Sequence, residues 1–360
     1  MSLPIQPPYL PMEAQQVAKL PRGEEWQYEP KWDGFRCIVF RDGDNVELQS
    51  KSAKPLTRYF PEVVAAMLEL YPRGADAEVG AEVGVDAGAG AGAQRQVRFV
   101  LDGEIVVPAG NALSFEDLLQ RIHPAESRVR KLSVETPARF IAFDLLVDAH
   151  GKLLVDEPLA TRRPALEQFA EAFTDPAKIQ LSPATQDYET AQEWLTSLKT
   201  GFDGVVAKRL DLPYTTGERT GMKKIKRLRT ADCVVGGFRY ASKGKQVGSL
   251  LLGLYDDDGL LHHVGFTSSF KANEKQAVTE MLEPLAGGEG FSGRAPGGPS
   301  RWSTERSAQW IPLQPKLVVE VQYDHFSEGR FRHGTKLLRW RPDKEPRACT
   351  MGQVAPRAAR

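Results

Sequence analysis

Net charge is the first thing this sequence lacks. Its 47 Lys and Arg are matched by 47 Asp and Glu, so the formal charge is zero. A chain that coats nucleic acid through general basicity is excluded, and any basic surface must be local. Cysteine is also scarce: only Cys37, Cys233 and Cys349 are present. Their odd number and long spacings fit neither a disulfide framework nor a zinc signature, so free thiols in a reducing compartment are expected. No apolar run approaches the length of a membrane span. The first residues, MSLPIQPPYLPMEAQQ, lack the basic start and unbroken apolar core of a signal peptide. A cytoplasmic, non-membrane chain is expected. Its 360 residues suggest about two domains, and a hydrophobic fraction of 41% suffices for their cores.

The Pro-rich start reads as extended surface chain. Residues 26–50 read as a hairpin turning at Asp42-Gly43-Asp44-Asn45. Apolar spacing over 60–70, with Pro61 near its start, predicts a helix. Residues 74–96 are dominated by Ala, Gly and small acids, with little surface to bury, and read as a flexible insertion. Strand character returns at 97–107. A short helix is expected at 114–121, then a buried strand over 140–147 that delivers Asp144 at its end. Helices are expected at 161–173 and 190–198, and short strands at 205–208 and 225–226. After Arg229 come the β-like runs CVVGGFRY, LLLGLY, LHHVGFT and LVVEVQY, the pattern of a small barrel. The domain boundary is placed between 228 and 229.

Chemistry concentrates in the string Glu29-Pro30-Lys31-Trp32-Asp33-Gly34-Phe35-Arg36. A bare K-x-D-G is an ordinary turn pattern, and only its company gives it weight. A lysine amine is a nucleophile only when neutral, so its pKa should fall, and burial beside other cations does that. Lys224 and Lys226, alternating on a strand, are the cations expected to do it. Glu104 and Asp203, each beside a glycine, offer the hard oxygens that Mg²⁺ or Mn²⁺ takes.

The ordered series Lys31-Trp32-Asp33-Gly34-Phe35-Arg36, Leu101-Asp102-Gly103-Glu104, Phe143-Asp144, Asp203-Gly204-Val205-Val206-Ala207-Lys208 and Lys224-Ile225-Lys226 resembles the covalent nucleotidyltransferase superfamily. The nearest likeness is to bacterial ATP-dependent DNA ligases, the stand-alone ligase C and the ligase domain of ligase D. Leu338-Arg339-Trp340-Arg341-Pro342-Asp343-Lys344 looks like the family's last motif. The resemblance implies an α+β fold: an adenylation domain of antiparallel sheets with flanking helices over 1–228, then an OB-fold barrel over 229–360. It implies ATP as cosubstrate and nicked duplex DNA as substrate. Lys31 would carry AMP. Glu29, with the backbone at Pro30, would read adenine, Phe143 would stack on it, and Arg36 and Glu104 would hold the ribose. Lys224 and Lys226 would hold the α-phosphate. Glu104 and Asp203 would bind the metal, although the family commonly has Glu where Asp203 stands. Arg341, Asp343 and Lys344 would orient pyrophosphate, which requires a hinge near Arg229.

Basic residues cluster around these motifs, and Lys51, Lys54, Lys208, Arg209 and Arg332 are expected to touch DNA phosphates. His262-His263 are neighbours on a strand, point to opposite faces, and read as ordinary strand residues. An RNA ligase or guanylyltransferase shares the lysine motif, and a decayed OB-fold binding module is the non-enzymatic alternative. The expectation is a minimal monomeric two-domain ligase, served by repair or end-joining proteins that deliver its DNA.

Overall fold

The computed structural model describes residues 2–71, 97–110, 112–196, 202–297 and 309–354. The expected insertion at 74–96 lies outside these, as do the last residues of the helix expected at 190–198. The chain divides into two compact units, Met1–Arg227 and Leu228–Arg360.

The first unit carries strands β1 (Ala14–Gln16), β2 (Trp26–Pro30), β3 (Phe35–Asp42) and β4 (Asn45–Ser50), then helix α1 (Pro61–Glu69). β5 (Arg98–Val106) and the two-residue strands β6 (Pro108–Ala109) and β7 (Ala112–Leu113) follow, with α2 (Phe115–Gln120) and α3 (Glu126–Glu135). Then come β8 (Arg139–Val147), α4 (Leu159–Phe169), β9 (Ile179–Leu181), α5 (Tyr188–Thr196), β10 (Gly204–Arg209) and β11 (Met222–Lys226). Two larger sheets result, ordered β4-β3-β5-β8-β9 and β1-β11-β10-β2, beside the two-stranded β6-β7. Local chemistry accounts for several boundaries. Pro61 occupies the first turn of α1, where a missing N–H costs nothing. Ser114 caps α2 by accepting from the Asp117 amide at 3.1 Å. Helix α3 was not expected: its sequence, ESRVRKLSVE, buries only Val129, so it has almost no apolar stripe to read.

Strand alternation decides what each sheet presents. In the large sheet Cys37, Val39, Leu101 and Ile105 enter the main core with α1 and α4, while Ile38, Phe40, Val100 and Leu146 meet Met12, Tyr214 and Met222 in a second core. In the small sheet Trp26, Tyr28, Val205, Ala207 and Ile225 pack with Ala191 and Trp194 of α5. The opposite parity of β2, β10 and β11 therefore faces the other way: Gln27 and Glu29, Val206 and Lys208, Met222 and Lys224.

The second unit adds β12 (Arg229–Tyr240), β13 (Val247–Tyr255), β14 (Leu261–Thr267), α6 (Lys275–Leu282), β15 (Ile311–Pro312), β16 (Val318–Tyr323), β17 (Phe326–Ser327), β18 (Arg330–Phe331) and β19 (Lys336–Trp340). One sheet runs β14-β13-β12-β16-β19, with β15 on β12. Among the described residues the backbone bridge between its outer edges is Thr267–Thr335. The expected barrel is thus a curled sheet without a closing ladder, within the range of partly open OB-folds. Cys37, Cys233 and Cys349 are all free and buried. Burial pushes the Cys37 and Cys233 thiols far up, and that of Cys349 to about 11. Among the described residues no helix is long and apolar enough to cross a membrane.

Candidate active site

The alternation of β2 continues one residue beyond the strand, so Lys31 follows Gln27 and Glu29 onto the same face. Lys31 and Asp203 are fixed as cross-strand neighbours: the Lys31 amide donates to Gly204 O and the Asp203 amide to Lys31 O, both at 2.9 Å. A cleft forms between the sheets. The small sheet lines it with Glu29, Lys31, Lys208 and Lys224, and the large sheet with Arg36, Glu104 and Phe143. Two glycines of the motifs allow close backbone packing beside it. A Cβ on Gly34 would lie 2.2 Å from Ile105 O. Gly204, at φ +149°, would place one 2.0 Å from Ile225 O.

Lys31 Nζ sits 2.5 Å from Asp203 Oδ2. Burial pulls the lysine pKa down, but Asp203 acts oppositely by charge and hydrogen bond, with help from Glu104 and Asp33, and the result is a raised value. The expectation of a depressed pKa is therefore corrected: in this state the carboxylates outweigh burial and Lys31 is held as an ammonium. Lys224 behaves as the expectation had it for Lys31. Burial and then Lys51, Lys31 and Lys226 lower its pKa. The Glu104 carboxyl accepts from the Gly34 amide at 3.1 Å, and burial raises its pKa to about 7 against the pull of Arg36 and Lys31.

Arg36 forks onto Asp102 through Nε and Nη2, both at 2.6 Å, and lies 4.5 Å over the Phe143 ring. Phe143 reaches the cleft through a β-bulge. The register passes from Asp102↔Asp144 to Gly103↔Ala142, leaving Phe143 as the extra residue. Asp144 is not at a strand end as expected. It lies inside β8, buried, in a bidentate pair with Arg162 at 2.8 and 3.0 Å that holds its pKa down against burial. Lys208 Nζ bonds Glu29 Oε1 at 2.8 Å and Phe143 O at 3.0 Å, and Gln27 donates to the same Glu29 oxygen at 2.9 Å.

A nucleophile-type lysine, two carboxylates and further lysines around one cleft are what phosphoryl-group chemistry requires. The comparisons with known proteins agree. The family model described as "ATP dependent DNA ligase domain" matches residues 11–96 and 84–226, and "ATP dependent DNA ligase C terminal region" matches 243–344. The chain belongs to the ATP-dependent DNA ligase family. DNA ligase C1 of Mycolicibacterium smegmatis is 44% identical, over 98% of this chain and 96% of that one. The multifunctional non-homologous end joining DNA repair protein LigD of Mycobacterium tuberculosis strain H37Rv is 31% identical over 90% of this chain but only 37% of its own. A solved Lig E DNA ligase shares the fold, with TM-score 0.51 at 17% identity, over 92% of this chain and 100% of that one.

Other sequence-predicted residues of the ligase fall in varied settings. Lys208, expected on a DNA-facing surface, is only 3% exposed and is committed to Glu29 within the cleft. It leaves the set of DNA contacts. The run Lys208-Arg209 misled because strand alternation sends its two members to opposite sides. Arg209 is bound by Asp211 through two 2.7 Å contacts. Lys51 lines the cleft and pairs with Glu13 at 3.1 Å, and Lys54 is exposed. Lys226 lies on β11 opposite Gly204, and Arg332 is half-buried in the second unit. Also there, Arg341 bridges Asp232 and Asp343, each at 2.8 Å, and Lys344 lies 3.6 Å from Asp232. Asp232 was not singled out from sequence, since nothing local marks it. His262 pairs with Asp256 at 2.6 Å, and His263 packs edge-on to Phe291. Among the described residues no three His, Cys, Asp or Glu side chains gather as a metal cage.

Proposed function

We propose that this ligase seals 5′-phosphate/3′-hydroxyl nicks in duplex DNA, with Lys31 as the residue that carries AMP. The observation that carries the reading is Lys31 at the end of β2, pressed against Asp203 in a cleft that Glu104 and Lys224 also line. Lys31 Nζ attacks the α-phosphate of ATP, forming an N–P bond as pyrophosphate leaves. The AMP then passes to the 5′-phosphate of the nick. The 3′-hydroxyl attacks that phosphate and AMP departs. Lys31 must lose its proton first. Burial favours the neutral amine, and loss of the Asp203 pairing removes the largest charge that opposes it.

Asp203 and Glu104 suit a magnesium ion, which takes one or two carboxylates together with water and phosphate oxygens. Held by them, it would supply positive charge at the phosphate. Asp203 is a shorter arm than the Glu common at this position, and it stands 2.5 Å from Lys31 Nζ. Lys224 and Lys226 add charge for the α-phosphate. In the second unit Arg341, Asp343 and Lys344 serve the pyrophosphate leaving group.

The hydrogen-bond inventory of the Glu29–Lys208 pair supports adenine as the base. An ammonium has three N–H groups, and Lys208 commits two to Glu29 and Phe143. Glu29 Oε1 accepts from Lys208 and Gln27, leaving Oε2. One acceptor and one donor remain side by side. Adenine offers the complement, an N6 donor next to the N1 acceptor. Guanine offers O6 and N1–H, which puts acceptor against acceptor and donor against donor. Phe143 supplies an aromatic face for either purine.

The likeness to an end-joining DNA repair protein supports strand-break repair as the setting in which such nicks arise. The test is intact mass after incubation with ATP and Mg²⁺, then nick sealing on DNA and RNA-containing duplexes. Addition of one AMP, absent in Lys31→Ala, and sealing of DNA are expected. Labelling by GTP alone, or an unaffected Lys31→Ala protein, overturns the reading.

A further inference from the structure

Beneath the cleft lies a set of polar groups that the ligation chemistry does not use. Asp102 is fully buried, yet accepts three close hydrogen bonds. Two come from Arg36, and the third comes from Tyr214 Oη at 2.6 Å to Oδ2. Tyr214 is itself buried, on the segment between β10 and β11. Its amide is tied to Val155 O at 2.8 Å, so the ring is held from its backbone as well. Burial and the Asp102 charge push its pKa far up, so the phenol remains a donor.

The consequence falls on Arg36. Its Nε and Nη2 are taken by Asp102, and Nη2 also reaches Met12 O at 3.3 Å. Among the described residues only Nη1 keeps its donors uncommitted, in a side chain that lines the cleft. The guanidinium charge is cancelled where it stands. A bare arginine is a phosphate clamp. A neutralised one with a single free edge is a directional donor suited to an uncharged oxygen. The aim of that edge is fixed by the carboxylate, and the rotation of the carboxylate is fixed by Tyr214.

We infer that Tyr214, acting through Asp102, is a positioning residue that aims Arg36 Nη1 at a sugar hydroxyl of the nucleotide, and that it sets the preference for ribonucleoside over deoxyribonucleoside triphosphate in the adenylation step. The inference rests on the proposed reading of the cleft as the ATP site. It assigns work to Asp102, which the motif Leu101-Asp102-Gly103-Glu104 contains without a role, and to Tyr214, which lies in no quoted motif.

The experiment measures single-turnover AMP transfer to the enzyme by intact mass, with ATP, 2′-deoxy-ATP and 3′-deoxy-ATP. Wild-type protein prefers ATP over at least one deoxy form. Tyr214→Phe removes one hydroxyl and is expected to shrink that preference roughly fivefold, the worth of one hydrogen bond. The apparent KM for ATP rises and the maximal rate stays near wild type. Asp102→Asn, which keeps the shape but weakens the fork, shrinks the preference further and covers the case of a poorly folded Tyr214→Phe. Arg36→Lys separates the two readings. If it abolishes the preference while Tyr214→Phe and Asp102→Asn leave it intact, the positioning role is overturned and the sugar contact stands. If Arg36→Lys leaves the preference unchanged, or wild type uses all three nucleotides equally, both fall. An equal loss with every nucleotide in Tyr214→Phe marks a merely structural tyrosine and also overturns the inference.

Discussion

Two lysine–carboxylate pairs share one cleft and are built to opposite ends. Lys208–Glu29 is sealed, with both side chains under 5% exposed and further bonds from Gln27 and to Phe143 O. Lys31–Asp203 is shorter but more open, with the lysine 20% exposed. A buried pair braced by Gln27 and Phe143 O is a fixed template, since breaking it leaves a bare charge. A pair at the cleft edge can be exchanged for a substrate phosphate. On the proposed reading the difference separates recognition from reaction within one strand pair, β2 and β10, and it follows from position alone: Lys208 lies inside β10, whereas Lys31 has just left β2.

The comparison breaks most completely at Lys31. Lys31→Arg keeps the charge but removes the nucleophile, and AMP incorporation measured by mass should fall by on the order of 10⁴-fold or more. Next, Lys208→Met should lower stability by about 3–5 kcal/mol, read by urea denaturation, because Glu29 is left buried and unpaired. The double variant Glu29→Gln/Lys208→Met should regain much of that stability without regaining preference for ATP over GTP. A double variant that still prefers ATP as wild type does would sink the template idea.

Asp203→Asn sharpens the contrast without any nucleotide. Asp203 raises the Lys31 pKa, so its removal lowers it and increases the neutral fraction at pH 8. Labelling of Lys31 by an amine-directed acylating reagent should therefore quicken several-fold, read by peptide mass spectrometry. An unchanged rate would mean that the carboxylate does not hold the proton. The smallest effect is expected at the exposed Lys54. Lys54→Ala should leave AMP transfer untouched, weaken nicked-DNA binding a few-fold, and reduce its salt slope by about one unit.

Much of this was legible in the sequence, because alternation and glycine placement are local properties. The parity of Glu29 and Lys31, and of Val206 and Lys208, follows from strand period alone. Had it been applied to Lys208, it would have separated that residue from Arg209. Other features depend on partners far along the chain. The bulge that brings Phe143 into the cleft is a register slip against Asp102, which β8 itself does not encode. Asp144 read as a carboxylate delivered at a strand end because its partner Arg162 lies on α4, eighteen residues on. Tyr214 and Asp232 sit in no motif and act only through the charges they meet in space. The raised pKa of Lys31 was misjudged for the same reason: Asp203 is 172 residues away in sequence and 2.5 Å away in the fold.

The burial of all three thiols has a consequence for chemistry outside the cleft. Oxidants attack thiolates, and burial keeps Cys37, Cys233 and Cys349 protonated and covered. Cys37 directly follows Arg36, so a sulfenic acid there would spoil the sugar contact at once. With that thiol turned into the core and the other two buried as well, AMP transfer to the enzyme is expected to survive peroxide treatment.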